Sequence, residues 1–174
     1  MGTTPHVPVP DHARDASGVI TMGPVLEALV PDVAALRATY FAHLAELIAR
    51  EPAVHELNRI ATAEDTGCRY CRNIRRQDAM DAGVDEDAVE RVRADGPEGF
   101  DDPRTRAALE LGERRRRYPL GAETPGPAPE QVALAAQDAP LADAVVLAVS
   151  RAVADGKAIV ALGLEPDGMP VRVV

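Results

Sequence analysis

The chain has 174 residues, 46% of them hydrophobic, which is enough to bury the core of a single domain without disulfide or metal staples. A net charge of -9 and an isoelectric point near 4.9 count against binding to nucleic acid or an anionic membrane, since a surface of that sign repels phosphate at long range. Aromatic residues are 3% of the chain and Trp is absent, so aliphatic side chains and alanine must fill the interior, a composition suited to closely packed helices.

Residues 1–20 carry Pro5, Pro8 and Pro10 among polar groups and predict an extended arm resting on a neighbour, with His6 and His12 as tail histidines. This stretch lacks the basic-then-apolar order of a secretion signal, and the longest uncharged apolar run, 144–150, is far too short to span a bilayer. The expectation is a cytoplasmic protein with one domain over 21–165 and a C-terminal tail at 166–174 that adds a short extended contact.

From Pro31, the residues Val33, Leu36, Tyr40, Leu44, Leu47 and Ile48 recur at helical spacing and predict a helix over 31–50. A second helix starts near Pro52, with Val54, Leu57, Ile60 and Ala61 as its apolar stripe, and ends before Gly67. A third is predicted over 68–82, closed by Gly83, and Asp85 N-caps a short fourth through Ala94. A helix over 102–117, a Pro/Gly-rich linker over 119–129, a short helix over 130–137 and a long one over 141–162 complete an all-α reading. No segment shows strand alternation. The long last helix carries few charges, so other helices or another subunit should cover it. The basic run 114–117 closes its helix, where cations complement the helix dipole as a solvated or ion-paired end.

The only cysteines are Cys68 and Cys71. Three residues apart on a helix, they share a face and lie close enough for a disulfide. Such a short loop yields little as a structural staple, and a zinc site lacks its other ligands, so a redox pair is favoured over core cysteines or a metal half-site. No metal or cofactor is expected. A position in the first turn after Gly67, with Arg69, Arg72, Arg75 and Arg76 around it, predicts a stabilised thiolate. Glu56 stands twelve residues before Cys68, beside an apolar stripe where a carboxylate can exchange protons with a thiol.

The segment LNRIATAEDTGCRYCRNIRRQDAMDAGVDEDAVERV, preceded by His55 and Glu56, resembles the carboxymuconolactone decarboxylase superfamily, in its alkylhydroperoxidase D-like branch. That branch has a Glu, eleven residues, Cys-x-x-Cys, three residues and a His, then an alanine-rich helix and a Gly-hydrophobic-acidic turn. Glu56, Cys68, Cys71 and 82–85 match it, and the clear likeness covers 52–95. The resemblance implies an all-α, alkylhydroperoxidase D-like bundle that assembles as a trimer or hexamer of itself. It also implies a thiol oxidoreductase reducing a hydroperoxide or disulfide through Cys68 and Cys71, with Glu56 in proton transfer and Cys71 nearest to it. Helix-dipole reasoning would favour Cys68 as the attacking sulfur, so that choice stays open here.

One position departs from the pattern: Arg75 stands where the family carries its His. A guanidinium does not deprotonate near neutral pH, so Arg75 could stabilise a thiolate or substrate but cannot shuttle protons. His55, or His43 on the preceding helix, could substitute as the shuttle, although each reads more readily as a core or surface histidine. Alternative functions are a non-redox, decarboxylase-like enzyme using Arg75 to hold a small carboxylated lactone, and a non-catalytic helical oligomer acting as a thiol sensor.

Overall fold

Two prolines set the frame. Pro31 and Pro52 each occupy the first turn of a helix, where a missing N–H costs nothing. A computed structural model of the chain describes residues 5–16, 18–117, 138–165 and 169–174, and the expected linker over 119–129 and helix over 130–137 lie outside them. Among the described residues are eight α-helices: α1 (Met22–Leu29), α2 (Pro31–Ile48), α3 (Pro52–Thr66), α4 (Arg69–Arg72), α5 (Gln77–Asp81), α6 (Glu86–Ala94), α7 (Pro103–Arg117) and α8 (Ala139–Ala161). The protein is mostly helical, and no described helix is long and apolar enough to cross a membrane.

α3 is the central helix, with nine of its residues buried from Val54 to Ala63, and it packs against α6, α7 and α8. Leu57 and Ile60 meet Val84, Val89 and Leu109 on one side, while Val54 meets Ala108, Val145 and Val149 on another. Each Val, Leu or Ile side chain so buried contributes about 1.5–3 kcal/mol. Close approach of α7 to α3 depends on Gly112: a Cβ there would lie 1.8 Å from Asn58 Oδ1. Side-chain caps start three later helices, with Asp85 accepting from the N–H of Ala88, Asp102 from Thr105 and Asp138 from Leu141. The first follows the sequence reading residue for residue.

The helix expected over 68–82 is broken. α4 makes a single turn, Ile74–Arg75 form a strand β1, and only then does α5 begin. The cause is distant: β1 pairs in parallel with β2 (Arg172–Val173), Ile74 opposite Arg172 and Arg75 opposite Val173. Backbone bonds from Arg172 N–H to Asn73 and from Val174 N–H to Arg75 hold the pair, and Gln77 N–H reaches back to Val174. The extended contact expected of the tail is therefore made on the chain's own cysteine segment.

The described part of the arm over 1–20 packs on the body of the fold. Its described residues lie on the same chain: His6 N–H bonds the carbonyl of Leu162, Asp11–Ala13 form a 3-10 turn, and Ala13 and Ile20 are buried in a cluster with Met22, Cys68, Ile159 and Leu164. α2 departs in the other direction. Only Leu44 and Ile48 of its apolar stripe are buried, while Val33 and Leu36 are 55% and 74% exposed. The basic end of α7 is tied down, with Arg116 on Asp65, Arg117 on Glu113 and Arg115 on the Ser150 hydroxyl.

Candidate functional site

Gly67 ends α3 in the left-handed conformation (φ 71°), which a residue without a Cβ adopts freely. The N–H of Gly67 bonds Glu64 and that of Cys68 bonds Ala63, so the chain leaves α3 with Cys68 already in the N-cap position of α4. Cys68 and Cys71 sit at disulfide distance, their Cα atoms 5.3 Å apart. The Cys71 N–H donates to Cys68 Sγ at 3.2 Å. A four-residue helix has little macrodipole, so this single N–H, rather than the dipole expected of a long helix, is what the local backbone offers a Cys68 thiolate.

The two sulfurs differ in access. Cys68 is wholly buried, against Ile20, Met22 and Ile159, whereas Cys71 is part-exposed and lines a cavity of about 430 Å3 between α2, α3, α8 and the cysteine segment.

The four arginines around the pair are each engaged with a carboxylate: Arg69 with Glu165, Arg72 with Glu64, Arg75 with Glu86 and Arg76 with Asp78. Arg75 is 2% exposed, and it also donates to the carbonyls of Arg72 and Ile74. Its guanidinium works as a clamp inside the turn and is not among the residues lining the Cys71 cavity. Glu86, on which it lies, is held below the usual carboxylate range by that contact.

Glu56 is 1% exposed and occupied on both oxygens. Arg59, one turn further along α3, donates to Oε1 and Oε2 at 2.8 Å each, and the Arg76 N–H reaches Oε1 at 3.2 Å. Arg59 continues to the carbonyls of Cys71 and Ile74, at 2.5 and 2.6 Å. The hydrogen bonds of Glu56 thus run to Arg59 and the Arg76 backbone and not to sulfur. Glu56 places the cysteine segment through Arg59, a residue the sequence reading passed over. Its signal was the three-residue step from Glu56.

His55 is 4% exposed, neither ring nitrogen has a hydrogen-bond partner among the described residues, and it lines the same cavity as Cys71. Burial lowers its pKa to about 4, with Glu51 opposing and Arg76 adding to the shift. At neutral pH the imidazole is uncharged, one nitrogen a donor and the other an acceptor. A base that weak is poorly matched to proton shuttling at pH 7, so His55 serves better as a hydrogen-bonding group in the wall. His43 is exposed on α2. Tyr70 also lines the cavity, and burial raises its hydroxyl above the ordinary value, keeping it a proton donor.

Cys68, Cys71, Glu56 and His55 therefore converge on one region, and Arg75 faces a different task. Among the described residues no group of three or more His, Cys, Asp or Glu is arranged to hold a metal ion. No family model, curated protein or solved structure matches the chain.

Proposed function

We propose that the chain is a thiol-dependent oxidoreductase of the alkylhydroperoxidase D-like type, cycling Cys68 and Cys71 between dithiol and disulfide. The observation that carries this reading is the asymmetry of the pair, one sulfur buried and the other facing a cavity, at bonding reach of each other. The Cys71 thiolate attacks the distal oxygen of a hydroperoxide, the O–O bond breaks, and the alkoxide leaves as an alcohol after taking a proton. The Tyr70 hydroxyl, kept protonated in the wall, can supply it. Cys68 then attacks the Cys71 sulfenic acid, forming the disulfide and releasing water. An external dithiol restores both thiols by attacking Cys71, the sulfur it can reach.

The segment over 52–95 that resembles the alkylhydroperoxidase D-like branch contains Cys68, Cys71 and Tyr70, while Arg75, at the place of the family's histidine, is committed to Glu86. That same commitment weighs against the decarboxylase-like reading, which needed Arg75 to hold a carboxylate. Self-association belongs to the proposal. Leu29, Val30, Val33, Leu36 and Tyr40 are 38–74% exposed along α1 and α2, and a second copy of this face is the simplest cover for it.

The test is thiol titration with mass mapping, before and after one equivalent of hydroperoxide. Native protein should lose two thiols and gain a Cys68–Cys71 bridge. Cys68→Ser should yield a trappable sulfenic acid on Cys71, and Cys71→Ser should leave Cys68 unreacted. Two free thiols persisting in folded native protein after excess hydroperoxide would remove the redox reading.

A further inference from the structure

The cavity beside Cys71 has a charge imbalance that the cysteine chemistry does not use. Four arginines line it: Arg37, Arg59, Arg76 and Arg151. Arg59 is matched by Glu56 and Arg76 by Asp78. Arg37 and Arg151 share one carboxylate oxygen, Asp155 Oδ2, at 2.9 and 3.3 Å. Among the described residues, two guanidinium groups against one carboxylate leave a net charge of about +1 in a part-buried place.

Both guanidinium carbons also lie on the Phe41 ring, 3.9 Å from its centroid for Arg37 and 3.8 Å for Arg151, so the aromatic face shares in holding the excess charge. Burial, with the neighbouring Arg37, pulls Arg151 below its ordinary value despite Asp155. The rest of the wall is largely aliphatic, including Met22, Ile48, Ile74, Val149, Ile159 and Val174. Its α8 side runs from Ala148 to Ile159, about 16 Å at the rise of a helix. In the same wall stands His55, 4% exposed and, among the described residues, unpartnered on both nitrogens. A cavity of about 430 Å3, largely apolar, with a few convergent polar groups, has the size and make-up of a small-molecule site.

We propose that this cavity binds a small organic monoanion, a carboxylate on an apolar body, with its head group on the Arg37–Arg151 pair and its body along the aliphatic wall that also carries Cys71. Planar guanidinium groups match a carboxylate bidentately, and a single negative charge completes the balance that Asp155 leaves open, where a phosphate dianion would overshoot it. His55 offers a further hydrogen bond to a second oxygen on the ligand. The proposal deepens the redox reading, on which it rests in one respect: the hydroperoxide favoured at Cys71 would be one that also bears a carboxylate.

Titration calorimetry of the full chain with octanoate, octyl phosphate and 1-octanol tests the binding step without any thiol reaction. Octanoate should bind at one site per chain, with 1-octanol weaker by about tenfold or more, the loss of a charge-assisted contact. Arg37→Gln and Arg151→Gln should each weaken octanoate by about tenfold while leaving 1-octanol little changed. Chemical shifts of the native protein should move at Phe41 and around Cys71 on adding octanoate, a check that needs no variant to fold. Absence of octanoate binding, equal binding of 1-octanol, tighter binding of octyl phosphate, or shifts confined to another surface would each overturn the proposal. Disulfide formation with a neutral hydroperoxide but no octanoate binding would sink this inference alone; octanoate binding with inert thiols would sink the redox reading alone.

Discussion

Glu56 and Arg59 form a two-pronged ion pair one helical turn apart on α3, and Arg59 carries it on to the carbonyls of Cys71 and Ile74. The carboxylate is buried at 1% side-chain exposure and the guanidinium at 22%, so the pair trades a desolvation cost for a fixed cysteine segment. Replacing either partner strands the other.

Glu56→Gln and Arg59→Gln should each lower stability by about 2–3 kcal/mol in urea unfolding, somewhat under the range for a fully buried pair because Arg59 keeps some solvent. The double variant should cost little more than either single one, since the loss is shared. Additive losses would show that the two side chains act independently.

His55 sets a pH dependence. Its folded pKa of about 4 lies below the ordinary 6.5, so the folded state favours the neutral ring and the unfolded chain binds the extra proton. The contribution is complete above pH 6.5 and is lost as the pH falls from there towards 4, on the order of 3 kcal/mol in all. Unfolding free energy measured across that window should fall with pH in the native protein and more gently in His55→Leu. Parallel slopes would place the acid sensitivity elsewhere.

Gly112→Ala should destabilise the fold by about 1–3 kcal/mol, the usual cost of overpacking, because the added methyl meets Asn58 Oδ1. Shortening the obstacle with Asn58→Ser should recover part of that loss. A second change that simply adds to the first would mean the helices accommodate the methyl in another way.

The strand pair predicts a local effect at the site. Removing residues 171–174 deletes the carbonyl that accepts from Gln77 N–H and the N–H groups donated to Asn73 and Arg75. Hydrogen exchange at Gln77 should quicken by orders of magnitude while amides in the middle of α3 stay protected. Unchanged protection at Gln77 would show that β1 needs no partner.

Much of this architecture is written locally. Pro31, Pro52 and the Asp85 cap announce their helices because first-turn proline and side-chain capping act within a few residues. The closeness of the two cysteines was legible from their three-residue spacing and the extended contact of the tail from its apolar run, whereas Glu56 was singled out by the resemblance and its tie to Arg59 was not foreseen. The break after Asn73 was not, since 68–82 reads as good helix and its competitor lies at Arg172–Val173. The burial of Arg75 was hidden for the same reason: only the strand turn directs it towards Glu86. Arg151 and Asp155 stand one turn apart on α8, a pair that spacing can suggest, but Arg37 joins them from distant α2 and no local pattern marks the three as one group.

The pairing of Ile74 with Arg172, about a hundred positions further on, sets an order of assembly. Sulfurs three residues apart can meet in a chain that has barely begun to fold, because almost no loop has to close. The wall that Cys71 faces is completed by α8 and by Val174, and must wait for the slowest, most non-local contacts. Bridge formation is thus a poor reporter of maturity for this protein. A nascent chain can carry the bond before it has the cavity, and protection of the Arg172 and Val174 amides marks the later event.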